Sequence, residues 1–505
     1  MSLPLIVRAQ AYKEKVAIVT KEGTFSFRDL LHSSGQIAAT LLKDQKDLQE
    51  QRVAYLIPPE FTYVATQWGI WRAGGIAVPL CVSHPRPELE YAIDNSAASI
   101  VVAHPNFEPL LRPISAARNL RFILTTEISP DIGFTDADFP DIAITRRALI
   151  LYTSGTTGKP KGVVTTHQNI QAQVTSLIEA WAWTSSDRIL QVLPLHHIHG
   201  IVNVLTCALW AGAECHMMQK FDAETVWNRI AAGDLTLFMA VPTIYAKLIA
   251  AWEASDRDRQ EILSAGCAKM RLMVSGSAAL PVSILEKWKD ISGDFLLERY
   301  GMTEIGMALS NPLQGQRQAG SVGKPLPHVE VRLVDESGAL VVGTAGELQV
   351  KGSTVFLEYW QNPEATAKAF QDGWFCTGDF AIVEHGNYRI LGRMSVDIIK
   401  TGGYKVSALE IEEVLRSHPD IRECAVVGIA DLEWGERVCA ALVLQPECSL
   451  TLETFRSWAK AQLAPYKVPT QILTVPELPR NAMGKVTKPT VAELFGSPSC
   501  SPRST

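Results

Sequence analysis

The strongest chemical signal in the sequence is the segment 152–163, YTSGTTGKPKGV, which combines three glycines, four Ser or Thr residues and two lysines. Glycine permits the turns that point successive backbone N–H groups inward, and hydroxyl groups add donors, so such a loop can wrap an anion. Lys159 and Lys161 supply countercharge. Such segments are often plain surface connections, but this one lies between two apolar runs typical of buried strands. We interpret it as a phosphate-binding loop.

This loop lacks the features of a Walker A motif. That motif requires glycine five residues before the Gly-Lys pair, and Ser or Thr after the lysine to hold Mg²⁺. The chain has Thr153 and Pro160 at those positions. The usual arrangement for γ-phosphate transfer is therefore disfavoured.

Further segments carry side chains suited to binding ions or moving protons. They are Pro194–Gly200 (PLHHIHG), Ser275–Ala279 (SGSAA), Glu298–Glu304 (ERYGMTE), Trp374–Asp379 (WFCTGD), Leu391–Arg393 (LGR) and Pro479–Lys485 (PRNAMGK). Carboxylate oxygen suits a hard cation, and histidine can partner a carboxylate. Taken singly, each segment also has an ordinary structural explanation, such as packing of a histidine, entry into a helix, a charged end of a strand, a turn or a solvated lysine.

The elements that must position these segments are apolar, β-rich runs that end abruptly in polar residues and precede helical patterns. Ala148–Tyr152, Thr236–Val241 and Arg271–Val274 are examples. Continuous apolar strands alternating with helices indicate parallel sheets covered on both faces. Ligands of such sheets bind beyond the carboxyl ends of the strands, where the polar clusters lie.

The pattern changes twice along the chain. Alternating apolar residues after about 320 predict antiparallel hairpins, with a turn at 336–338, and residues after 393 form a self-sufficient α+β pattern. We predict an α/β fold with a large N-terminal body of stacked, largely parallel sheets with helices (1–393). It includes a small β-barrel-like subdomain at about 320–392. A small mobile α+β domain (394–490) and a disordered tail (491–505) follow.

The composition excludes several classes of function. With 47 Lys+Arg against 53 Asp+Glu, the chain has a formal net charge of −6, and 47% of its residues are apolar. Extensive disorder is excluded for most of the length, and so is a strongly basic nucleic-acid binder. No apolar run approaches the roughly 20 residues needed to cross a bilayer. Bound anions therefore require a local cationic site.

The nine cysteines are scattered without a CxxC pair, which predicts reduced structural thiols in a reducing compartment. The adjacent Cys215 and His216 have no partner cluster in the sequence, so we assign them a structural role. The N-terminal segment matches neither a signal peptide nor a transit peptide, and a cytoplasmic location is expected. The sequence makes no prediction of oligomeric state.

Together, these motifs resemble those of the adenylate-forming superfamily of acyl-CoA synthetases, luciferases and adenylation domains, from about Ala17 to Lys488. The resemblance implies that ATP activates a carboxylate as an acyl-adenylate, with release of pyrophosphate, before the acyl group passes to a thiol. It implies ATP and CoA as substrates and Mg²⁺ as the metal. The implied contacts of the nucleotide are Thr153, Ser154, Gly155, Thr156, Thr157, Gly158, Lys159, Lys161, Ser275, Gly276, Ser277, Tyr300, Gly301, Met302, Asp379 and Arg393.

The resemblance also implies individual roles. Tyr300 would stack on adenine, Thr303 would contact the α-phosphate, and Glu304 and Thr156 would hold Mg²⁺. Asp379 and Arg393 would bind the ribose or phosphate. The implied catalytic residues are Lys485, Glu304, Thr303 and His197.

A rotating C-terminal domain is a further implication. It would carry Lys485 to the adenylation site, then withdraw it and present Gly402, Gly403 and Tyr404 to the thioester site. The hinge position is usually Asp or Lys in the family, but here it is Ser395.

Within the superfamily, the segments 299–313, 320–333 and 392–413 most resemble malonyl-CoA synthetases. Burying the second carboxylate of a dicarboxylic acid without a cation costs several kcal/mol, so the pocket needs a fixed positive charge. Arg299 is the best candidate because guanidinium can bind a carboxylate with two hydrogen bonds. His199 and Ser275 could assist it.

We predict a ligase that converts malonate, or also methylmalonate, to its CoA thioester. The alternatives are a ligase for another short, aryl or fatty acid, an adenylation enzyme that loads a carrier protein, and a catalytically silent relative. The last is disfavoured because Glu304, Asp379, Arg393 and Lys485 are all present. The expected partners are small molecules, without nucleic acid or stable membrane insertion.

Overall fold

A computed structural model describes residues 3–129, 132–135, 138–153, 159–481 and 484–496, and the structural statements below concern these residues. The chain forms two compact units. The first comprises Met1–Val331 and Val350–Phe375, and the second comprises Arg332–Gln349 and Cys376–Thr505.

The strands are numbered in chain order. They are β1 Val16–Thr20, β2 Gly23–Ser26, β3 Arg52–Leu56, β4 Ile76–Pro79, β5 Ile100–Ala103, β6 Arg121–Leu124, β7 Arg147–Thr153, β8 Lys161–Thr166, β9 Arg188–Gln191, β10 Glu214–Met217, β11 Leu237–Ala240, β12 Leu272–Ser275, β13 Leu297–Met302, β14 Gly306–Ser310, β15 Lys324–Pro325, β16 Glu330–Val334, β17 Gly346–Lys351, β18 Glu358–Tyr359, β19 Phe370–Gln371, β20 Trp374–Glu384, β21 Asn387–Arg393, β22 Ile398–Thr401, β23 Tyr404–Ser407, β24 Ile421–Asp431, β25 Gly435–Leu444 and β26 Gln471–Thr474.

The α-helices are numbered in the same way. They are α1 Pro4–Ala11, α2 Phe27–Leu42, α3 Phe61–Arg72, α4 Arg86–Asn95, α5 Glu108–Ala117, α6 His167–Trp181, α7 Cys207–Ala211, α8 Ala223–Ala231, α9 Pro242–Glu253, α10 Arg257–Cys267, α11 Val282–Ser292, α12 Pro363–Ala369, α13 Ala408–Leu415, α14 Leu452–Gln462 and α15 Lys488–Gly496. Short 3₁₀ turns occupy Pro105–Phe107, Thr125–Glu127 and Pro465–Lys467, and a π-helix occupies His199–Thr206.

The first unit contains two large sheets whose central strands are parallel. One has the order β15-β14-β13-β12-β11-β9-β10-β1-β2, and the other β18-β8-β7-β4-β3-β5-β6. Antiparallel strands occur only toward the ends of the two orders. All residues of β11 and β12 are buried, as expected of strands covered on both faces. The predicted α/β class with largely parallel sheets is confirmed.

Helices pack on these sheets through large aromatic side chains. Trp227 of α8 stacks on Trp288 of α11, with ring centroids 5.7 Å apart, and Tyr245 of α9 meets Trp288 edge-on. Helix α9 begins at Pro242, where the missing N–H costs nothing because a first-turn N–H has no partner within the helix. Phe238 of β11 and Met273 of β12 lie in the same buried cluster as these side chains.

The second unit is smaller and mostly antiparallel. In its first part, β17, β20 and β21 are neighbours in one sheet, and the predicted turn forms where Asp335 accepts from the backbone of Ser337 at 2.8 Å. In its second part the strand order is β23-β22-β25-β24, with β26 beside β25. Ser407 caps α13 by accepting from the backbone N–H of Glu410.

The expected disordered tail is wrong for residues 491–496, which belong to α15. Val491 is fully buried in a small core that includes Leu478 and Val443, so this apolar face has a partner that the local composition does not reveal. Residues 497–505 lie outside the described part of the chain. In the described residues, no helix is both long enough and apolar enough to span a membrane.

Candidate functional site

The carboxyl end of β12 and the first half of β13 bring together residues that are 24 positions apart in the chain. The strands are parallel, and Ser275 at the end of β12 is paired with Glu298 in β13. Arg299 follows immediately, and Gly276 and Ser277 continue from β12. The two strands therefore position the predicted nucleotide contacts Ser275, Gly276 and Ser277 beside the predicted carboxylate-binding arginine.

Arg299 is buried, and the described part of the chain places no opposite charge against it. The residue is only 3% exposed, and its Nη2 donates a hydrogen bond to the Ser277 hydroxyl at 3.4 Å. Within the described residues, Nε and Nη1 have no hydrogen-bond partner and no carboxylate forms an ion pair with the guanidinium. Burial lowers the pKa of Arg299 from 12.5 to about 9, so it remains a cation at neutral pH.

His199 and Ser277 complete this group. The Ser277 hydroxyl lies 3.2 Å from Nδ1 of His199, which is 5% exposed at the start of the π-helix. A methyl group on Gly276 would stand 2.4 Å from Cζ of Arg299, so only glycine leaves room for the guanidinium. The hydroxyl of Ser275 is buried without a described partner. We name Arg299, His199, Ser275, Gly276 and Ser277 the arginine pocket.

The π-helix that carries His199 adds a polar residue that we did not predict. Asn203 is fully buried, and neither atom of its amide group has a described hydrogen-bond partner. Wide helical turns of this kind are frequent at functional sites. A lone asparagine within the apolar run GIVNVL was the signal available in the sequence.

His197, the predicted catalytic histidine, is half-buried and lies just before the π-helix. Its ring centroid is 3.9 Å from that of His196. Burial, together with the neighbouring histidines, lowers the pKa of His196 to about 2, which keeps that ring neutral. The segment therefore carries the neutral imidazole of His196 as well as the buried side chain of His199.

The predicted metal-binding carboxylate, Glu304, lies after β13 and is 6% exposed. Tyr359 of β18 donates to its Oε1 at 3.0 Å. The ring of Tyr359 also lies under the ammonium group of Lys161, 4.8 Å from its centroid. Tyr359 thus joins the carboxylate to the phosphate-loop lysine, a role that sequence reasoning missed. A cavity of about 410 Å³ opens beside Lys161 and Tyr359.

The other predicted residues of this segment are described in part. Tyr300, Gly301 and Met302 end β13, where a register shift separates Tyr300 from Gly301, and Thr303 follows in the turn before β14. All four are half-buried. These positions leave part of each residue accessible to a ligand.

The phosphate loop itself joins β7 to β8. Thr153 and Lys161 are paired at the loop end of this hairpin, and Lys159 is exposed with its ammonium group 5.8 Å from the ring centroid of Tyr91. Five of the predicted contacts, Ser154, Gly155, Thr156, Thr157 and Gly158, lie outside the described residues. The described residues nevertheless place both lysines at or just before the start of β8.

In the second unit, β20 and β21 bring Asp379 and Arg393 together. They occupy paired positions, and Nε of Arg393 donates to Oδ1 of Asp379 at 3.0 Å. Thr377 orients the turn by donating to the carbonyl of Leu348 at 2.7 Å and accepting from the backbone N–H of Asp379 at 3.0 Å. A carboxylate held in this way can still accept hydrogen bonds from the hydroxyls of a ribose.

The predicted hinge is a tight turn between β21 and β22. Ser395 is exposed at its tip, while the carboxylate of Asp397 accepts from the backbone N–H of Arg393 at 3.0 Å. The ammonium group of Lys488 forms ion pairs with the same carboxylate at 2.6 Å and with that of Glu412 at 2.8 Å. Both sides of this turn belong to the second unit. The hinge stays a prediction.

The remaining predicted residues lie on exposed turns of the second unit. Gly402 and Gly403 have φ values of 54° and 82°, and the ring of Tyr404 stacks on that of Tyr466 at 4.3 Å. Lys485 is exposed after Gly484, and its backbone N–H donates to Oδ1 of Asn481 at 3.1 Å. The loop fixes the backbone of Lys485 and leaves its side chain at the surface.

Two family models match the chain. The model described as "AMP-binding enzyme" matches residues 6–360, and the model described as "AMP-binding enzyme C-terminal domain" matches residues 410–485. Together they include every predicted site residue except Asp379, Arg393, Ser395, Gly402, Gly403 and Tyr404.

Known proteins are similar over almost the whole chain. The mitochondrial malonate–CoA ligase of Bos taurus is 46% identical over 96% of this chain and 89% of its own length. The malonate–CoA ligase of Arabidopsis thaliana is 41% identical over 94% and 85%. The crystal structure of ATP-bound MatB from Rhodopseudomonas palustris has a TM-score of 0.89 and 32% identity, covering 98% of this chain and 99% of MatB.

Proposed function

Because the chain belongs to the AMP-binding enzyme family, we propose that it is an ATP-dependent acid–CoA ligase and that its acid is malonate. The observation that carries the choice of acid is Arg299, a buried cation without a described carboxylate partner. A monocarboxylic acid has no second carboxylate to pair with this charge once its single carboxylate reacts. A dicarboxylic acid neutralises it. The similarity to malonate–CoA ligases supports the same choice.

The proposed reaction has two steps. A carboxylate oxygen of malonate attacks the α-phosphorus of ATP, and the bond to pyrophosphate breaks, leaving malonyl-adenylate. The sulfur of CoA then attacks the acyl carbon as the thiol proton is lost, and AMP leaves with the electron pair of the broken bond. The products are malonyl-CoA, AMP and pyrophosphate.

We assign the non-reacting carboxylate of malonate to Arg299, with His199 and Ser277 holding the guanidinium side of the pocket. His197 would contact the acid beside them. Tyr300, with Gly301 and Met302, would bind adenine together with Ser275 and Gly276. These assignments use the ends of β12 and β13, where the backbone is fixed by strand pairing.

Lys159, Lys161 and Thr303 would bind phosphate oxygens, together with the loop residues 154–158. The donor set also fits Mg²⁺, because Glu304 presents a buried carboxylate whose Oε1 is oriented by Tyr359 at 3.0 Å. Thr156 would add a hydroxyl. When bound, Mg²⁺ offsets negative charge on the phosphates as pyrophosphate departs.

In the second unit we assign the ribose to Asp379 and Arg393, and the reacting carboxylate and α-phosphate to Lys485. Gly402, Gly403 and Tyr404 would face CoA after the domain rotates about Ser395. The assignments rest on the motifs and on the exposure of Lys485 and Tyr404. A domain boundary at 393 would be tested by limited proteolysis with and without ATP.

The test is pyrophosphate release from ATP with malonate, methylmalonate, succinate, acetate, octanoate and coumarate, each with and without CoA. Malonate should give the highest kcat/KM, and CoA should yield malonyl-CoA detected by mass spectrometry. Higher activity with octanoate or coumarate would replace malonate by the fatty or aryl acid alternative. Acyl transfer to a carrier protein but not to CoA would identify the enzyme as a carrier-loading one.

A cytoplasmic location stays a prediction from the sequence, and the animal relatives are described as mitochondrial. Fractionation of the source cells, followed by immunodetection of the full chain, would distinguish the two compartments.

A further inference from the structure

A cluster of metal-binding side chains lies outside the assigned substrate contacts. Cys81, His84 and His196 each have one ligand atom within 4.8 Å of the others. Cys81 and His84 follow β4, where a turn forms as the backbone N–H of His84 donates to the carbonyl of Cys81 at 3.1 Å. His196 comes from the distant segment after β9. The fold therefore assembles the cluster from two loops, and only the Cys-x-x-His half is visible in the sequence.

The cluster is partly buried and open to entry of a small ion, since Cys81 is buried and the two histidines are half-buried. Cys81 is 3% exposed, whereas the side chain of His84 retains 28% exposure. The rings of His84 and His196 meet edge-on with centroids 5.6 Å apart. The ring nitrogens of both histidines and the sulfur of Cys81 thus lie close together, and solvent reaches them past the side chain of His84.

Two polar side chains, those of Glu88 and Ser83, contact the candidate metal ligands. Nδ1 of His84 lies 3.2 Å from the carboxylate of Glu88, one turn along the same segment. A histidine ring whose Nδ1 donates to a carboxylate offers Nε2 to a cation, and carboxylates in this position orient metal-binding histidines. The hydroxyl of Ser83 lies 3.1 Å from the sulfur of Cys81.

The geometry and the charges favour zinc. In a tetrahedral zinc site the ligand atoms are separated by about 3.3–3.6 Å, so these side chains need to close by roughly 1 Å. One thiolate, two neutral imidazoles and Glu88 would balance the two charges of the ion. Thiolate with imidazole is a ligand set that Zn²⁺ prefers, and that Mg²⁺ does not.

We propose that Cys81, His84 and His196 bind one Zn²⁺ ion, with water in a fourth position. The ion would fix His196, whose ring lies next to that of His197, with 3.9 Å between the centroids. The site is distinct from the proposed Mg²⁺ ligand Glu304, and its existence does not depend on which acid the enzyme uses.

The test is titration of the metal-depleted, reduced full chain with Co²⁺ as a spectroscopic substitute, followed by displacement with Zn²⁺. One equivalent should give the visible bands of tetrahedral cobalt and a thiolate-to-metal band in the near ultraviolet. Cys81→Ser should abolish the thiolate band, and His84→Asn should weaken Zn²⁺ binding at least about a hundredfold. Glu88→Gln should weaken it by about 10–100-fold, as expected for loss of a contact to a metal ligand.

Cys448→Ser is the matched control, since Cys448 is a partly buried cysteine of the second unit, remote in sequence from the cluster. It should leave the spectrum unchanged, and circular dichroism should show that every variant is folded. A thiolate band that persists in Cys81→Ser, or its absence from the wild type at one equivalent, would overturn the proposal.

Discussion

Replacing Arg299 with methionine should raise the stability of the protein while it impairs the use of malonate. Burial lowers the pKa of this guanidinium from 12.5 to about 9, which corresponds to a cost on the order of 5 kcal/mol for keeping the charge buried. Methionine removes the charge and retains much of the volume. Replacement of buried ion pairs by apolar residues of similar volume is neutral or stabilises proteins by about 1–4 kcal/mol, and we expect a gain in that range for a buried charge without a described partner.

The same change should have the opposite effect on catalysis. Loss of one partner from a buried charge pair costs about 2–5 kcal/mol, which corresponds to a fall in kcat/KM for malonate of roughly 30- to 4,000-fold. The KM for ATP should change little, and weak activity with acetate should be retained. Saturating malonate should protect the wild type against urea unfolding but not Arg299→Met.

The assays are urea denaturation in a buffer without carboxylates and steady-state pyrophosphate release. Arg317→Met is the matched control, because the side chain of Arg317 is also only 8% exposed but is paired with Asp294 at 3.2 Å and with the carbonyl of Leu313 at 3.1 Å. This control should lose stability and keep its KM for malonate. Lower stability of Arg299→Met, or a change in malonate kcat/KM below about threefold, would refute the assignment of an unpaired cation that binds the acid.

Three other substitutions test neighbouring parts of the structure. Gly276→Ala should lower kcat/KM for malonate by about 10–100-fold, because the new methyl group displaces the Arg299 guanidinium, and unchanged kinetics would contradict this. Tyr359→Phe removes the hydrogen bond to Glu304 and should weaken the Mg²⁺ dependence of pyrophosphate release about tenfold, so superimposable Mg²⁺ titrations would exclude this role. Burial raises the pKa of Glu60 from 4.5 to about 7. The folded state therefore holds this proton more tightly than the unfolded state, and stability falls as pH rises between those values. Glu60→Gln should remove this fall and be more stable than the wild type at pH 8 by on the order of 2 kcal/mol, whereas parallel urea profiles at pH 4.5 and 8 would contradict the shift.

The sequence predicted the order of elements well because each depends on local chemistry. Continuous apolar runs such as β11 and β12 form parallel strands wherever helices cover both faces, and Ser407 caps α13 through its own neighbours. The loop after β12 and the arginine in β13 could be placed at one sheet edge for the same reason. Their chemical types and their approximate location were therefore predictable.

Contacts between distant segments were not predictable in this way. Tyr359 reaches Glu304 across 55 positions, and the absence of a described carboxylate beside Arg299 depends on every segment that packs around it. The last helix was missed because its buried residue, Val491, packs on strands that precede it in the chain. In each case the deciding neighbour is remote in sequence, so composition near the residue carries no signal.

The contrast between Arg299 and Lys485 follows from what each anion does during the proposed reaction. The non-reacting carboxylate of malonate keeps its charge through both steps, so a permanently buried cation remains paired from substrate binding to product release. The charges around the α-phosphate change when pyrophosphate and then AMP depart, and a cation buried there would be left unpaired, at a cost of several kcal/mol. An exposed Lys485 avoids that cost because water solvates it between steps. Burial of the specificity cation and exposure of the catalytic cation are thus consequences of the same electrostatic requirement.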